Sequence, residues 1–217
     1  MASPMRTPGV RLAPLLLVLA ACTLTTNGSP TPMSSGTATA VTLDDGSDAL
    51  TWGSGPYGLV LAHGAIYDAE SWDPQARVFA EHGMTVVAVE HIDVSAVRAA
   101  IRYLTGERGT ERVALLGASA GAAAVLAVGR DDPALVDQLI VLSGSGDVSA
   151  LGDFPKLFAA SEGEAAAREA ERMAAAAPGS WNVLYLAPGS AHAQAIFGSE
   201  GGGELLDALV ARLDERR

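Results

Sequence analysis

The chain has 217 residues, 49% of them hydrophobic and 18% charged, which is enough for one domain with a sizeable core and too few for two comfortable ones. Its 25 acidic and 14 basic residues give a formal charge of −11, so there is no electrostatic reason for it to bind nucleic acid or anionic lipid headgroups. Cys22 is the only cysteine, which excludes an internal disulfide.

Residues 1–21 have the composition of an export signal. Arg6 and Arg11 supply a positive start, and LAPLLLVLAA at 12–21 is an apolar run too short to span a bilayer as an ordinary helix. The run ends in Leu19-Ala20-Ala21-Cys22. This ending resembles the lipobox of bacterial lipoproteins, and the resemblance implies that Cys22 is lipidated and becomes the first mature residue. The expected location is therefore outside the cytoplasmic membrane, with membrane contact through the lipid anchor alone. Residues 22–40 are a Ser/Thr/Pro/Gly tether without hydrophobic period, and the folded domain is expected over 41–217.

Within the domain, runs at 41–43 and 49–52 flank Asp44-Asp45-Gly46-Ser47-Asp48, a hairpin turn. From there strands and helices alternate. GLVLA at 58–62 is a buried strand. A helix opens at Asp73-Pro74, with proline suited to its first turn, and Gly83 stops it after His82. TVVAV at 85–89 is the next strand. Asp93 caps a helix that carries Val94, Val97, Ile101 and Leu104 at spacings of three and four. The strand at 112–116 runs into a helix at 120–128, and QLIVL at 138–142 follows. A weaker strand at 156–160 precedes an alanine-rich helix at 164–177, then NVLYL at 182–186 and a closing helix at 205–213. Short β-branched runs alternating with helices predict an α/β fold, a mostly parallel sheet with helices on both faces. Ligand chemistry in such sheets sits beyond the carboxyl ends of the strands, so the residues after each run are the ones to inspect.

Between the strand at 112–116 and its helix lies Gly117-Ala118-Ser119-Ala120-Gly121. A strand-turn-helix this tight holds the central serine in a strained conformation, and the small flanking residues let strand and helix approach. It lifts the Ser119 hydroxyl above the sheet edge and aims the Ala120 N–H, at a helix N-terminus, toward a developing oxyanion. A serine needs a base to take its proton. Of the four histidines, His82 sits at a helix end and is expected at the surface, whereas His63 and His91 follow strands and lie near the cleft. His192 follows the last strand, where a loop can hang a ring over the sheet edge, and is the expected base. An orienting carboxylate fixes the tautomer of such a base. Glu164 is the expected acid, with Asp147 and Glu162 as the alternatives. The loop His63-Gly64-Ala65-Ile66-Tyr67 offers the second oxyanion donor, Ala65 or Ile66. Ile66, Tyr67 and His91 are the expected substrate contacts, and Trp72 is either a cleft wall or core. This chemistry calls for no cofactor and no metal.

From the HGA loop at 63–65 through GASAG at 117–121 to PGSAH at 188–192, the chain resembles the α/β-hydrolases, over nearly all of the domain. The order Ser119, Glu164, His192 matches that family's nucleophile, acid, base order. The resemblance implies a compact α/β-hydrolase fold and acyl transfer through an acyl-serine. It is similar to the small lidless serine esterases of the dienelactone-hydrolase-like kind, although that group typically uses cysteine. Two positions depart from the family pattern. The acid is Glu where Asp is commoner, and Ala193 follows the histidine where glycine is frequent. With residues 143–155 as the longest insertion near the cleft, there is no room for a large lid, and the expected partner is a small ester. The rival readings are a non-catalytic scaffold of the same fold and an acyltransferase using the same three residues.

Overall fold

The computed structural model describes residues 36–215. The expected export signal, Cys22 and the expected tether up to residue 35 lie outside the described residues. Eight strands form one sheet: β1 (Thr39–Thr42), β2 (Asp48–Trp52), β3 (Tyr57–Ala62), β4 (Met84–Val89), β5 (Arg112–Ala118), β6 (Gln138–Leu142), β7 (Lys156–Ser161) and β8 (Asn182–Ala187). Their order is β1-β2-β4-β3-β5-β6-β7-β8. β1 and β2 form the expected hairpin, β2 joins β4 antiparallel, and the pairings from β4 through β8 are parallel. β1 begins two residues inside the stretch read as tether, where Thr39 pairs with Thr51.

Five α-helices cover the sheet: α1 (Asp73–Glu81), α2 (Val94–Arg102), α3 (Gly121–Asp131), α4 (Ala166–Ala176) and α5 (Gly202–Asp214). The alternation of side chains along each strand divides the core in two. On β3, Val60 and Ala62 face a layer with Val97 and Ile101 of α2, Val125 and Val128 of α3, and Met173 of α4. Leu59 and Leu61 face the other layer, with Phe79 of α1 and Leu205 and Leu209 of α5. All six residues of β3 are buried. Burial on both faces is why the central strands read as continuous apolar runs.

Three elements differ from the sequence-based expectation. Leu104 lies beyond α2, in a π-helical turn over Tyr103–Glu107, although it is still buried with the α2 side chains. α4 begins at Ala166, so Glu164 sits in the turn before the helix and not within it. The strand that looked weak is fully buried, Lys156 included. The Lys156 ammonium donates to the carbonyls of Phe154 (2.7 Å) and Pro178 (2.9 Å), which compensates a buried cation. Burial pulls the pKa of this ammonium below the ordinary lysine value, against the opposing attraction of Asp153.

Candidate active site

The two glycines of Gly117-Ala118-Ser119-Ala120-Gly121 are required by packing. A Cβ at Gly117 would lie 2.7 Å from the Gly121 carbonyl oxygen, and one at Gly121 would lie 2.6 Å from both the Ala62 carbonyl carbon and the His63 oxygen. With these contacts α3 starts directly against β3, and the chain reverses in one residue. That residue, Ser119, has φ 48°, a conformation that non-glycine residues rarely adopt. The turn is pinned on both sides, by the Ser119 N–H to the Leu142 carbonyl (2.9 Å) and by the Gly121 N–H to the His63 carbonyl (3.1 Å). Gly121→Ala is expected to destabilise the domain by about 1–3 kcal/mol, the usual cost of forcing an extra carbon into a packed site. Thermal unfolding checks this, with Gly203→Ala as the comparison, since a Cβ at Gly203 meets nothing within 4 Å.

Beyond the ends of the parallel strands the three expected residues come together. His192 Nε2 lies 2.8 Å from Ser119 Oγ, and His192 Nδ1 lies 2.5 Å from Glu164 Oε2. A carboxylate only accepts hydrogen bonds, so the proton sits on Nδ1 and the Nε2 lone pair faces the serine hydroxyl. The His192 side chain is 55% exposed and that of Glu164 only 5%. The ring thus reaches solvent while the carboxylate is sheltered behind it. The other oxygen of Glu164, Oε1, accepts from the Ser143 hydroxyl (2.6 Å) and the Ser161 N–H (2.7 Å).

The alternative acids lie elsewhere. Asp147 is exposed and caps its own loop by accepting from the Ser149 N–H (2.9 Å). That backbone bond, first among the causes, holds its carboxyl below the ordinary aspartate value. Glu162 is exposed. Ala193 has φ 54°, which explains why glycine suits the position after the histidine; here its methyl is buried in the core instead.

Ala120 immediately precedes α3, and its N–H donates to no group among the described residues. The same holds for Ala65. The loop carrying Ala65 lies beside the nucleophile, because a Cβ at Gly64 would sit 3.6 Å from the Ser119 Cβ. The Gly64 N–H donates to Gln194 Oε1 (2.8 Å), and Gln194 Nε2 donates to Ser71 Oγ (2.7 Å).

His63 is 6% exposed, with Nδ1 2.8 Å from the Gly64 oxygen and Nε2 3.1 Å from the Glu90 oxygen. It fastens the loops after β3 and β4 to each other. His82 is exposed, as expected, 3.3 Å from Asp214. Trp72 is wholly buried and packs edge-on to Phe197 at 6.1 Å, so it belongs to the core.

A cleft of about 500 Å³ opens beside Ser119 and His192, lined by Ala120, Ala123, Gly144, Ser145, Ala165, Ala166 and Glu169 among others. The three expected substrate contacts do not line it. Ile66 is 89% exposed, Tyr67 lies over Gly64, and His91 is exposed in the loop after β4. The wall comes instead from α3, the turn after β6 and the start of α4. The sequence reading also missed Ser143, Ser161 and Gln194. Ser143 is the first residue after β6, so the rule of inspecting the residues after each strand reaches it. Nothing local marks Gln194, whose partner Gly64 is 130 residues away.

The strand order, the helices on both faces and the strained serine between β5 and α3 define an α/β-hydrolase fold. The sequence matches no family model and no curated protein. Solved structures share the fold. A cold-adapted esterase from an Arctic intertidal metagenomic library is similar at a TM-score of 0.64 and 14% identity, over 82% of this chain and 92% of that one. A thermophilic carboxylesterase cloned from a metagenomic library gives 0.63 and 16%, over 82% and 88%. A predicted CIB-like hydrolase from Thermoplasma acidophilum gives 0.60 and 16%, over 82% and 99%.

Proposed function

We propose that this protein is a serine hydrolase acting on carboxylic esters, with Ser119 as nucleophile, His192 as base and Glu164 as the acid that orients it. The observation that carries the reading is the unbroken chain of hydrogen bonds from Ser119 Oγ through His192 to Glu164. In the first half-reaction Ser119 Oγ attacks the ester carbonyl carbon while His192 Nε2 takes its proton. The carbonyl oxygen becomes an oxyanion, received by the N–H groups of Ala120 and Ala65. The C–O bond of the ester then breaks, and His192 returns the proton to the departing alkoxide, leaving an acyl-serine. Water repeats the sequence, giving its proton to His192, and Ser119 leaves as the alcohol. Esterase relatives of the fold support the ester class.

The finer reading is a small lidless esterase, similar to the dienelactone-hydrolase-like kind. Alanine and glycine walls suit short or extended acyl groups better than long lipid chains. The decisive experiment combines a fluorophosphonate probe with a panel of p-nitrophenyl esters of increasing chain length. Stoichiometric labelling of Ser119 and turnover that falls with chain length are expected. A protein that neither labels nor turns over any ester is a binding scaffold instead.

The lipoprotein reading rests on LAAC after an arginine-flanked apolar run. One acyl chain holds a protein only marginally, so stable attachment needs the several chains of a bacterial lipoprotein. Cys22→Ala is expected to move the protein from the membrane fraction to the soluble one. Equal recovery of both proteins with membranes rules the anchor out.

A further inference from the structure

Among the described residues, three that are not glycine have a left-handed φ: Ser119 (48°), Ser143 (51°) and Ala193 (54°). Such a conformation is costly for a residue other than glycine, and all three lie at the candidate active site. Ser119 is the proposed nucleophile and Ala193 adjoins the proposed base. Ser143 has no part in the bond-making steps and is 4% exposed.

Its contacts explain the strain. The Ser143 N–H extends the β6–β7 pairing by one bond, to the Ala159 carbonyl (2.7 Å), and the backbone then turns. In this conformation the hydroxyl serves two partners at once. It donates to Glu164 Oε1 (2.6 Å) and accepts from the Ala193 N–H (2.9 Å). One oxygen at the end of β6 thereby joins the acid after β7 to the residue that follows the base after β8. The bond to the carboxylate is charge-assisted, hence short and strong. With Oε1 fixed by Ser143 and Ser161, Oε2 is left with one direction, toward His192 Nδ1. A glycine at 143 would adopt the same φ without strain, so the serine stands there at a conformational cost that a glycine would not carry.

We infer that Ser143 is a positioning residue that sets the geometry of the Glu164–His192 pair; the inference rests on the hydrolase reading above. Removing the hydroxyl frees the Glu164 carboxylate to reorient and leaves the Ala193 N–H buried without an acceptor. Ser143 lines the cleft, but its hydroxyl is already engaged by Glu164 and the Ala193 N–H, so its loss falls mainly on turnover rather than on ground-state binding.

The test compares Ser143→Gly, which removes hydroxyl and strain together, with Ser143→Ala, which removes the hydroxyl alone. Both are assayed on p-nitrophenyl acetate beside Ser119→Ala. In both Ser143 variants kcat is expected to fall roughly 10- to 100-fold, by analogy with loss of the outer partner that orients a metal ligand. KM is expected to stay within about two-fold of wild type. Ser143→Gly should melt at or above the temperature of Ser143→Ala, and the low-field proton resonance of the His192–Glu164 hydrogen bond should shift in both. Wild-type turnover by Ser143→Gly with that resonance unmoved overturns the inference. So does a loss of activity that only tracks a loss of folded protein. An active Ser119→Ala overturns the hydrolase reading itself and takes the inference with it. An inactive Ser119→Ala beside a fully active Ser143→Gly removes the inference alone.

Discussion

Ser119→Ala is expected to remove nearly all ester hydrolysis and leave the fold intact. The substitution deletes one oxygen and keeps the Cβ, so the φ of 48° and the backbone bonds of the turn to Leu142 and His63 are undisturbed. What disappears is the atom 2.8 Å from His192 Nε2, and with it the acyl-serine route. The remaining N–H donors and the bound geometry still stabilise an oxyanion formed by water, and in serine proteases that residue of catalysis is about 10³ to 10⁴ over the uncatalysed rate. The measurement is steady-state turnover with a melting curve on the same preparation. If the variant keeps more than about a tenth of wild-type turnover, the side chain is worth no more than about 1.4 kcal/mol to the transition state, and Ser119 is not the nucleophile.

Glu164→Gln is expected to be nearly as damaging, up to about 10⁴-fold in kcat by analogy with the acid-to-amide change in a serine protease. The reason can be read from the donors around the side chain. Oε1 of Glu164 receives two of them, from Ser143 and Ser161. A glutamine keeps both only by placing its oxygen there, which turns its NH₂ group toward His192. Facing a donor, the imidazole must present Nδ1 as acceptor and carry its proton on Nε2, where it cannot take one from Ser119. The opposite flip sets the NH₂ against two donors inside a nearly closed pocket. Asp147→Asn, at an exposed loop residue, is expected to leave kcat unchanged. If Asp147→Asn is the crippling variant and Glu164→Gln is silent, the acid has been assigned to the wrong strand.

Much of the fold was legible because its signals are local. Buried parallel strands are short apolar runs, and Asp93 caps α2 through its side chain to the Ala96 N–H. The strained turn at Ser119 was legible because Gly117 and Gly121 are needed for close approach as well as for the turn. Glu164 lies against His192, but the helix expected over 164–177 begins two residues later, at Ala166, and the hydroxyl of Ser143 and the N–H of Ser161 are what meet the carboxylate. Lys156 misled because a lysine weakens a strand pattern, and only tertiary structure brings two carbonyls to its ammonium. Ile66, Tyr67 and His91 were chosen for following strands. That rule finds the correct sheet edge but does not say on which side of the serine the cleft opens.

The hydrogen bond between Gly64 and Gln194 has a consequence for how this protein comes into being. It joins positions 130 residues apart, and the residues proposed to act lie between them or beside them. A chain that has emerged only as far as α3 holds the residues of the Ser119 turn but not Leu142, which pins it; it has neither His192 nor Glu164, and the loop bearing Ala65 lacks its tether. Pairings that span so much sequence are late to form. On the hydrolase reading proposed above, the final quarter of the polypeptide supplies both Glu164 and His192, so activity toward esters would begin only once the last strand and its loop are in place.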